Sequence, residues 1–177
     1  MFIAAPLIEE AAKYGAVHLA LNKNPVLDEP VDGMIYVIAA ALGFAAIENV
    51  FAIFSFVSVG APGYFGVAFN FISVRFLSAV ALHGLASGIS GYYFARFYFS
   101  PKANPPKGDI KRNPLLIVWG LFLASALHGA YNFLITNNNK TFSLISTGVL
   151  LGTAAVLVII LFNKLKRPKT YQQAVID

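Results

Sequence analysis

The sequence contains no cysteine, so it can build neither a disulfide framework nor a thiolate metal site. It is also short of charge: only 12% of its 177 residues are Asp, Glu, Lys or Arg, about half the share a soluble domain carries. That deficit argues against an ordinary water-soluble domain. A hydrophobic content of 58% and a mean hydropathy of +0.68 select the membrane class instead. A cleavable signal peptide is not apparent either. Met1 to Ile8 is apolar without a basic leader, and Glu9-Glu10 interrupts it too early for a hydrophobic signal core. The net charge of +5 looks like a nucleic-acid signature only until the charges are located. Ten of the 13 Lys and Arg residues fall in candidate loops on one side, which is a topology signal and gives no reason to expect a nucleic-acid partner.

What the sequence does have is a series of apolar stretches, each near the roughly 20 residues that one membrane span needs. The first runs from Met1 to Leu21, broken by Glu9, Glu10, Lys13 and His18. It starts abruptly, which leaves room for an upstream helix. The second covers Met34 to Val59, after a loop with two prolines, and ends at the turn cluster Gly60-Ala-Pro-Gly63. The third lies within Tyr64 to Phe99, too long for one straight span, so its first part is expected to be a loop or an interfacial piece. Asn113-Pro114 reads as an N-cap followed by proline at the first helical position, opening a fourth segment that runs to Thr136. Asn137-Asn138-Asn139 turns the chain into a fifth, Phe142 to Phe162. The expected fold is an all-α polytopic bundle of about five transmembrane helices, a single domain over residues 1–163 with a basic tail over 164–177. Gly84-x-x-x-Gly88 and Gly148-x-x-x-Gly152 would let helices approach closely.

The loop charges set an orientation. Arg96, Lys102, Lys107, Lys111 and Arg112 share one connection, and Lys164, Lys166, Arg167 and Lys169 share the tail. Both belong on the cytoplasmic side, which puts Lys23 inside, Met1 outside and Lys140 in an outer loop.

Within such spans the ionisable residues are the informative ones, because a charge at mid-depth costs about 2.5–3.5 kcal/mol or more. Counting from the cytoplasmic ends places Glu9, Glu10, Glu48, His83 and His128 roughly 17–24 Å up a core of about 30 Å. Four helices thus present an acid or an imidazole at one level, toward the outer face. Glu9 and Lys13 are four apart in the favourable order, and Glu10 diverges from Glu9 by about 100°, so one carboxylate can pair with Lys13 while the other faces the centre. His128 and Asn132 stack one turn apart. Two imidazoles with carboxylates suit Zn²⁺ and leave a spare carboxylate to take a proton from water. The side chains of Glu9 or Glu10, Glu48, His83 and His128 are therefore expected to meet between helices one to four, with helix five outside.

These residues carry a resemblance. Glu9-Glu10-Ala-Ala-Lys13, then Asp32-Gly33-x-x-Tyr36 and Ala-Leu-Gly-Phe-Ala-Ala-Ile-Glu48-Asn49, then Arg75 separated by seven residues from His83, then His128-Gly-Ala-Tyr-Asn132, resemble the ordered motifs of the PrsW family of intramembrane proteases. That family is related to the CAAX prenyl proteases and to the bacterial immunity-type membrane proteases. The likeness covers about residues 4 to 136. It departs from the pattern where a tyrosine is expected after Glu48-Asn49, since Phe51 and Ala52 stand there. The resemblance implies hydrolysis of a membrane-associated protein substrate, such as an anti-sigma factor, in a bacterial or archaeal plasma membrane. It implies Glu9 or Glu10 as general base, with Asn132 as oxyanion donor. Glu48, His83 and His128 would hold Zn²⁺ in a metallo version, and a Glu and a His would activate water directly in a glutamic one.

Blander readings stand beside this one. His18, near the cytoplasmic end, is expected to be a helix–helix hydrogen bonder. Arg75 can snorkel to the outer headgroups or pair with Glu10. The whole cluster would also suit a non-catalytic scaffold of the same fold, or an ion or proton transporter using it as a relay. The orientation itself is testable. Reporter fusions at Lys107 and at the C-terminus should both read cytoplasmic, and an external signal at either would overturn the depth alignment along with the topology.

Overall fold

The computed structural model describes residues 4–21, 24–57, 65–99 and 113–166, with the side chains of 55–75 outside that description. Five helices make it up: α1 (Ala4–Leu21), α2 (Pro30–Val57), α3 (Phe65–Phe99), α4 (Leu115–Ile135) and α5 (Lys140–Leu165).

Helix starts follow local chemistry. α2 begins four residues earlier than hydropathy suggests, because Pro30 suits the first helical position and Asp32 Oδ2 accepts from the Glu29 backbone N–H at 2.9 Å. Asn113 Oδ1 accepts from Leu115 N at 3.0 Å, meeting the cap expected at α4. Asn139 accepts from Phe142 N at 3.0 Å and starts α5, and Asn137 accepts from Asn139 N at 2.9 Å within the turn. One expectation is corrected. The first part of segment three is no loop, since the backbone is helical without a break from Phe65. No proline lies between Phe65 and Phe99 to stop it. At 1.5 Å per residue α3 is roughly 52 Å long, more than the hydrocarbon core requires.

Among the described residues three helices, α2 over Pro30–Phe54, α4 and α5, are long and apolar enough to cross a membrane. They expose apolar side chains such as Phe51, Trp119, Ile145 and Ile159, as a lipid-facing surface does. Among the described residues, the ionisable side chains buried within the bundle are those of α1 and α3, plus His128 on α4. α1 carries Glu9, Glu10 and Lys13 within 18 residues, so hydropathy alone does not single it out as a span.

α3 is the central element, with its most extensive interface against α2, and it also packs on α4 and α5. Small residues allow that closeness. Ala41, Ala45 and Ala86 are fully or almost fully buried. A Cβ on Gly91 would lie 3.0 Å from the Cα of Met34, and one on Gly88 would lie 2.9 Å from Val158 on α5. The Gly84/Gly88 pair is thus used in packing, whereas a Cβ on Gly148 or Gly152 would meet nothing within 4 Å. Side chains close the interior toward the α1 C-terminus, where Val17, Leu21, Val37 and Phe94 pack together. His18 lies beside them, within 2.6 Å of the Tyr98 hydroxyl, which makes it the helix–helix hydrogen bonder expected.

Gly91→Ala should therefore destabilise the protein by about 1–3 kcal/mol, because α2 backbone must move to admit the methyl. Gly148→Ala should leave the melting temperature in detergent unchanged. Equal melting temperatures for the two variants would mean that the α2–α3 contact is looser than described.

Candidate active site

Pro6, Glu10, Lys13 and Val17 form the buried stripe of α1, which turns Glu10 and Lys13 inward at 1% and 3% exposure. Lys13 Nζ donates to Glu10 Oε1 at 2.6 Å. Of the two arrangements open in the sequence, Glu10 is thus the carboxylate that pairs with Lys13, and Glu9 lies off that stripe with its side chain 25% exposed. The other oxygen of Glu10 accepts from Ser87 Oγ at 3.0 Å. Both oxygens of the most buried acid are therefore occupied.

Lys13 also reaches across to α3, where its Nζ lies 2.7 Å from His83 Nδ1. An ammonium offers only donors, so the network assigns Nδ1 as acceptor and puts the ring proton of His83 on Nε2. That N–H donates to Glu48 Oε2 at 2.7 Å. A continuous chain results, from Glu10 through Lys13 and His83 to Glu48, whose side chain is 42% exposed. His128 on α4 closes the group. Its Nδ1 lies 3.4 Å from Glu10 Oε1 and its Nε2 3.6 Å from Glu9 Oε2. Its ring stands perpendicular to that of His83, centre to centre 5.0 Å. Phe44 packs against the cluster, 4.8 Å from Lys13 Nζ and edge-to-face with His83 at 5.6 Å, adding a cation–π contact.

Glu48, His83 and His128, expected to converge with Glu9 or Glu10, do so from α2, α3 and α4, both glutamates of α1 join them, and α5 contributes no ionisable residue to them. One donor atom each from Glu9, His83 and His128 lies within 4.8 Å of the others, a spacing that could hold a metal ion. Glu48 is outside that trio and bonds to His83 instead. Glu9 Oε2 and His128 Nδ1 are buried with no hydrogen-bond partner. Asn132 is half-buried one turn beyond His128, and its carbonyl accepts from Thr136 Oγ1 at 3.1 Å. The Arg75 side chain lies outside the described residues.

Ser87 and Phe44 were not foreseen. Ser87 sits four residues after His83 and Phe44 four before Glu48, so each shares a helix face with a site residue. Neither a serine nor a phenylalanine stands out in an apolar helix, however, and the spacing alone would not have singled them out.

A helical membrane protein whose acids, imidazoles and, among the described residues, one buried ammonium meet between four helices is the class that this fold and this site define. Over residues 1–163 the sequence matches the PrsW family intramembrane metalloprotease pattern, and the chain belongs to that family. It is 33% identical over 135 residues to Protease PrsW of Geobacillus kaustophilus, an alignment covering 76% of this chain and 51% of that protein. It is 30% identical over 135 residues to Protease PrsW of Bacillus subtilis, covering 76% and 53%. To the Oceanobacillus iheyensis protein of the same name it is 29% identical over 166 residues, covering 94% and 66%. The chain spans about half the length of the first two of these curated relatives. No solved structure matches it.

The buried ion pair yields a stability prediction. Lys13→Met strands the Glu10 carboxylate and should cost about 3–5 kcal/mol. In a Glu10→Gln background the same change should cost much less, since no charge is then left unpaired. Unfolding in detergent would measure both, and equal losses in the two backgrounds would show that the pair is not the stabilising contact.

Proposed function

We propose that this chain is the catalytic part of an intramembrane endopeptidase that hydrolyses a peptide bond in a membrane-associated protein such as an anti-sigma factor. The observation that carries this reading is the convergence of Glu9, Glu10, Lys13, Glu48, His83 and His128 inside an otherwise apolar bundle. Placing so many ionisable groups at one depth is costly, and such groups mark function by default.

The two glutamates of α1 take different roles. Glu10 is fixed by Lys13 and Ser87, so it holds the ammonium and anchors α1 against α3. Glu9 keeps an oxygen without a partner, lies beside His128 and is partly exposed, so Glu9 is the general base that takes the proton of the attacking water. His128 orients that carboxylate, and Asn132 donates to the developing oxyanion. Lys13 holds His83 in one tautomer, and Glu48 accepts its remaining proton.

A metal is compatible with this donor set. One carboxylate and two imidazoles are ligands that zinc takes at catalytic sites, and the unpartnered Glu9 Oε2 and His128 Nδ1 are available to it. His83 would have to give up one of its two hydrogen bonds to join them. Held by Glu9, His83 and His128, Zn²⁺ would supply Lewis-acid polarisation, and the proton-accepting role would then pass to a carboxylate outside the trio, with Glu48 the more open one. The setting is a bacterial or archaeal plasma membrane, with the C-terminus cytoplasmic and the site in the outer half of the bilayer. The unbroken chain from Glu10 to Glu48 also favours a second reading, proton conduction, which predicts a pH change in vesicles and no cleavage product.

In proteoliposomes carrying a single-span anti-sigma-factor peptide, Glu9→Gln should fold normally and lose cleavage by about 10²-fold or more. His128→Ala should lose a comparable amount. Full cleavage by Glu9→Gln would remove Glu9 from the base position, and absence of cleavage by the wild-type protein would defeat the endopeptidase reading.

A further inference from the structure

We infer that Asn49 is a substrate-binding residue whose side-chain amide donates to a carbonyl of the bound peptide. This rests on the endopeptidase reading for its substrate, but its structural basis is separate. Asn49 is 91% buried, and its Nδ2 has no hydrogen-bond partner among the described residues. A buried amide donor left unmade is expensive, and native structures rarely carry one without a use.

Along its own face of α2 its neighbours offer no acceptor side chain. Asn49 continues the stripe of Val37, Ala41 and Ala45, the buried face of α2, and these neighbours are exposed by 0%, 0% and 1%. One turn further along that face stands Ala52, whose methyl cannot accept a hydrogen bond. The buried hydroxyls on α4 and α5 that lack partners, Ser125 Oγ and Thr147 Oγ1, can rotate onto a backbone carbonyl of their own helix. An asparagine amide carries two N–H groups and can satisfy at most one of them in that way.

Its position ties it to the chemistry. Asn49 follows Glu48, the residue that holds His83 Nε2 at 2.7 Å, with Cα atoms about 3.8 Å apart along the chain. α2 thereby brings a carboxylate bonded to the cluster and a free donor on consecutive residues. A peptide extended past His83 and Glu48 presents carbonyls that have lost their water in the membrane, and an amide already dehydrated binds one without paying again for desolvation. Asn49 supplies hydrogen-bond donation only. No proton is transferred and no covalent bond changes at this residue.

The test exploits opposite signs. Asn49→Leu removes an unpaired polar group, so the detergent-purified protein should melt at the same or a higher temperature. Its kcat/KM on the reconstituted anti-sigma-factor peptide should nevertheless fall roughly tenfold, chiefly through a raised KM, as on losing one ground-state hydrogen bond. Asn49→Ala should behave alike and guards against overpacking by leucine. A lowered melting temperature with cleavage per folded molecule unchanged would make Asn49 structural and overturn the inference, as would failure of both variants to fold. A second measurement is independent of turnover. In the Glu9→Gln protein, the ¹⁵N-labelled side-chain amide of Asn49 should shift on addition of the same peptide. No shift overturns the inference. A shift in a protein whose wild type cleaves nothing keeps Asn49 as a peptide-binding residue and retires the endopeptidase reading alone.

Discussion

Lys13 holds an ammonium at 3% exposure inside a bundle whose outer surface is apolar. Water solvates it poorly there, and the bundle replaces that solvation from two helices at once, with the Glu10 carboxylate at 2.6 Å and the His83 ring nitrogen at 2.7 Å. Much of the site depends on this double contact. It anchors α1 to α3, helices that otherwise share little surface. It occupies one oxygen of Glu10, leaving the other to Ser87. It also fixes which nitrogen of His83 is free to donate, and hence why Glu48 accepts from that ring. Remove the cation, and two buried acceptors lose a donor together.

Close packing makes these contacts reachable. An acid, a lysine and two imidazoles on four helices meet only if the backbones lie near one another. The interface of α2 with α3 achieves this with Ala41, Ala45, Ala86 and Gly91 instead of bulky side chains. In a bilayer, lipid competes for apolar surface as well as another helix does, so small residues and interhelical hydrogen bonds hold helices together.

The division of labour between adjacent glutamates follows from helix geometry. Successive residues diverge by about 100°, so Glu9 and Glu10 meet different partners although both approach His128. One joins the buried stripe of α1 and is saturated with hydrogen bonds, and the other sits at its edge beside His128. This separation of a fixed acid from a freer one is the kind that lets neighbouring carboxylates do different work.

The sequence by itself determined the membrane class, the five helices, the turns at the Asn113 and Asn139 caps and the family. Each rests on local chemistry or on the rarity of charge in apolar segments. It also placed Glu10, Glu48, His83 and His128 at one depth, because rise per residue converts a count into a height. Rotation about the helix axes was beyond it. Glu9 and Glu10 are equivalent in a count, and only burial of the stripe from Pro6 to Val17 separates them. Likewise, depth gave no reason to prefer Glu9 over Glu48 beside the two histidines, because that depends on which faces of α1 and α2 meet α3 and α4. Ser87 and Asn49 carry no charge to mark them in an apolar helix. Tertiary structure alone showed the first donating to Glu10 and the second without an acceptor, since hydrogen-bond satisfaction belongs to neighbours that sequence distance does not reveal.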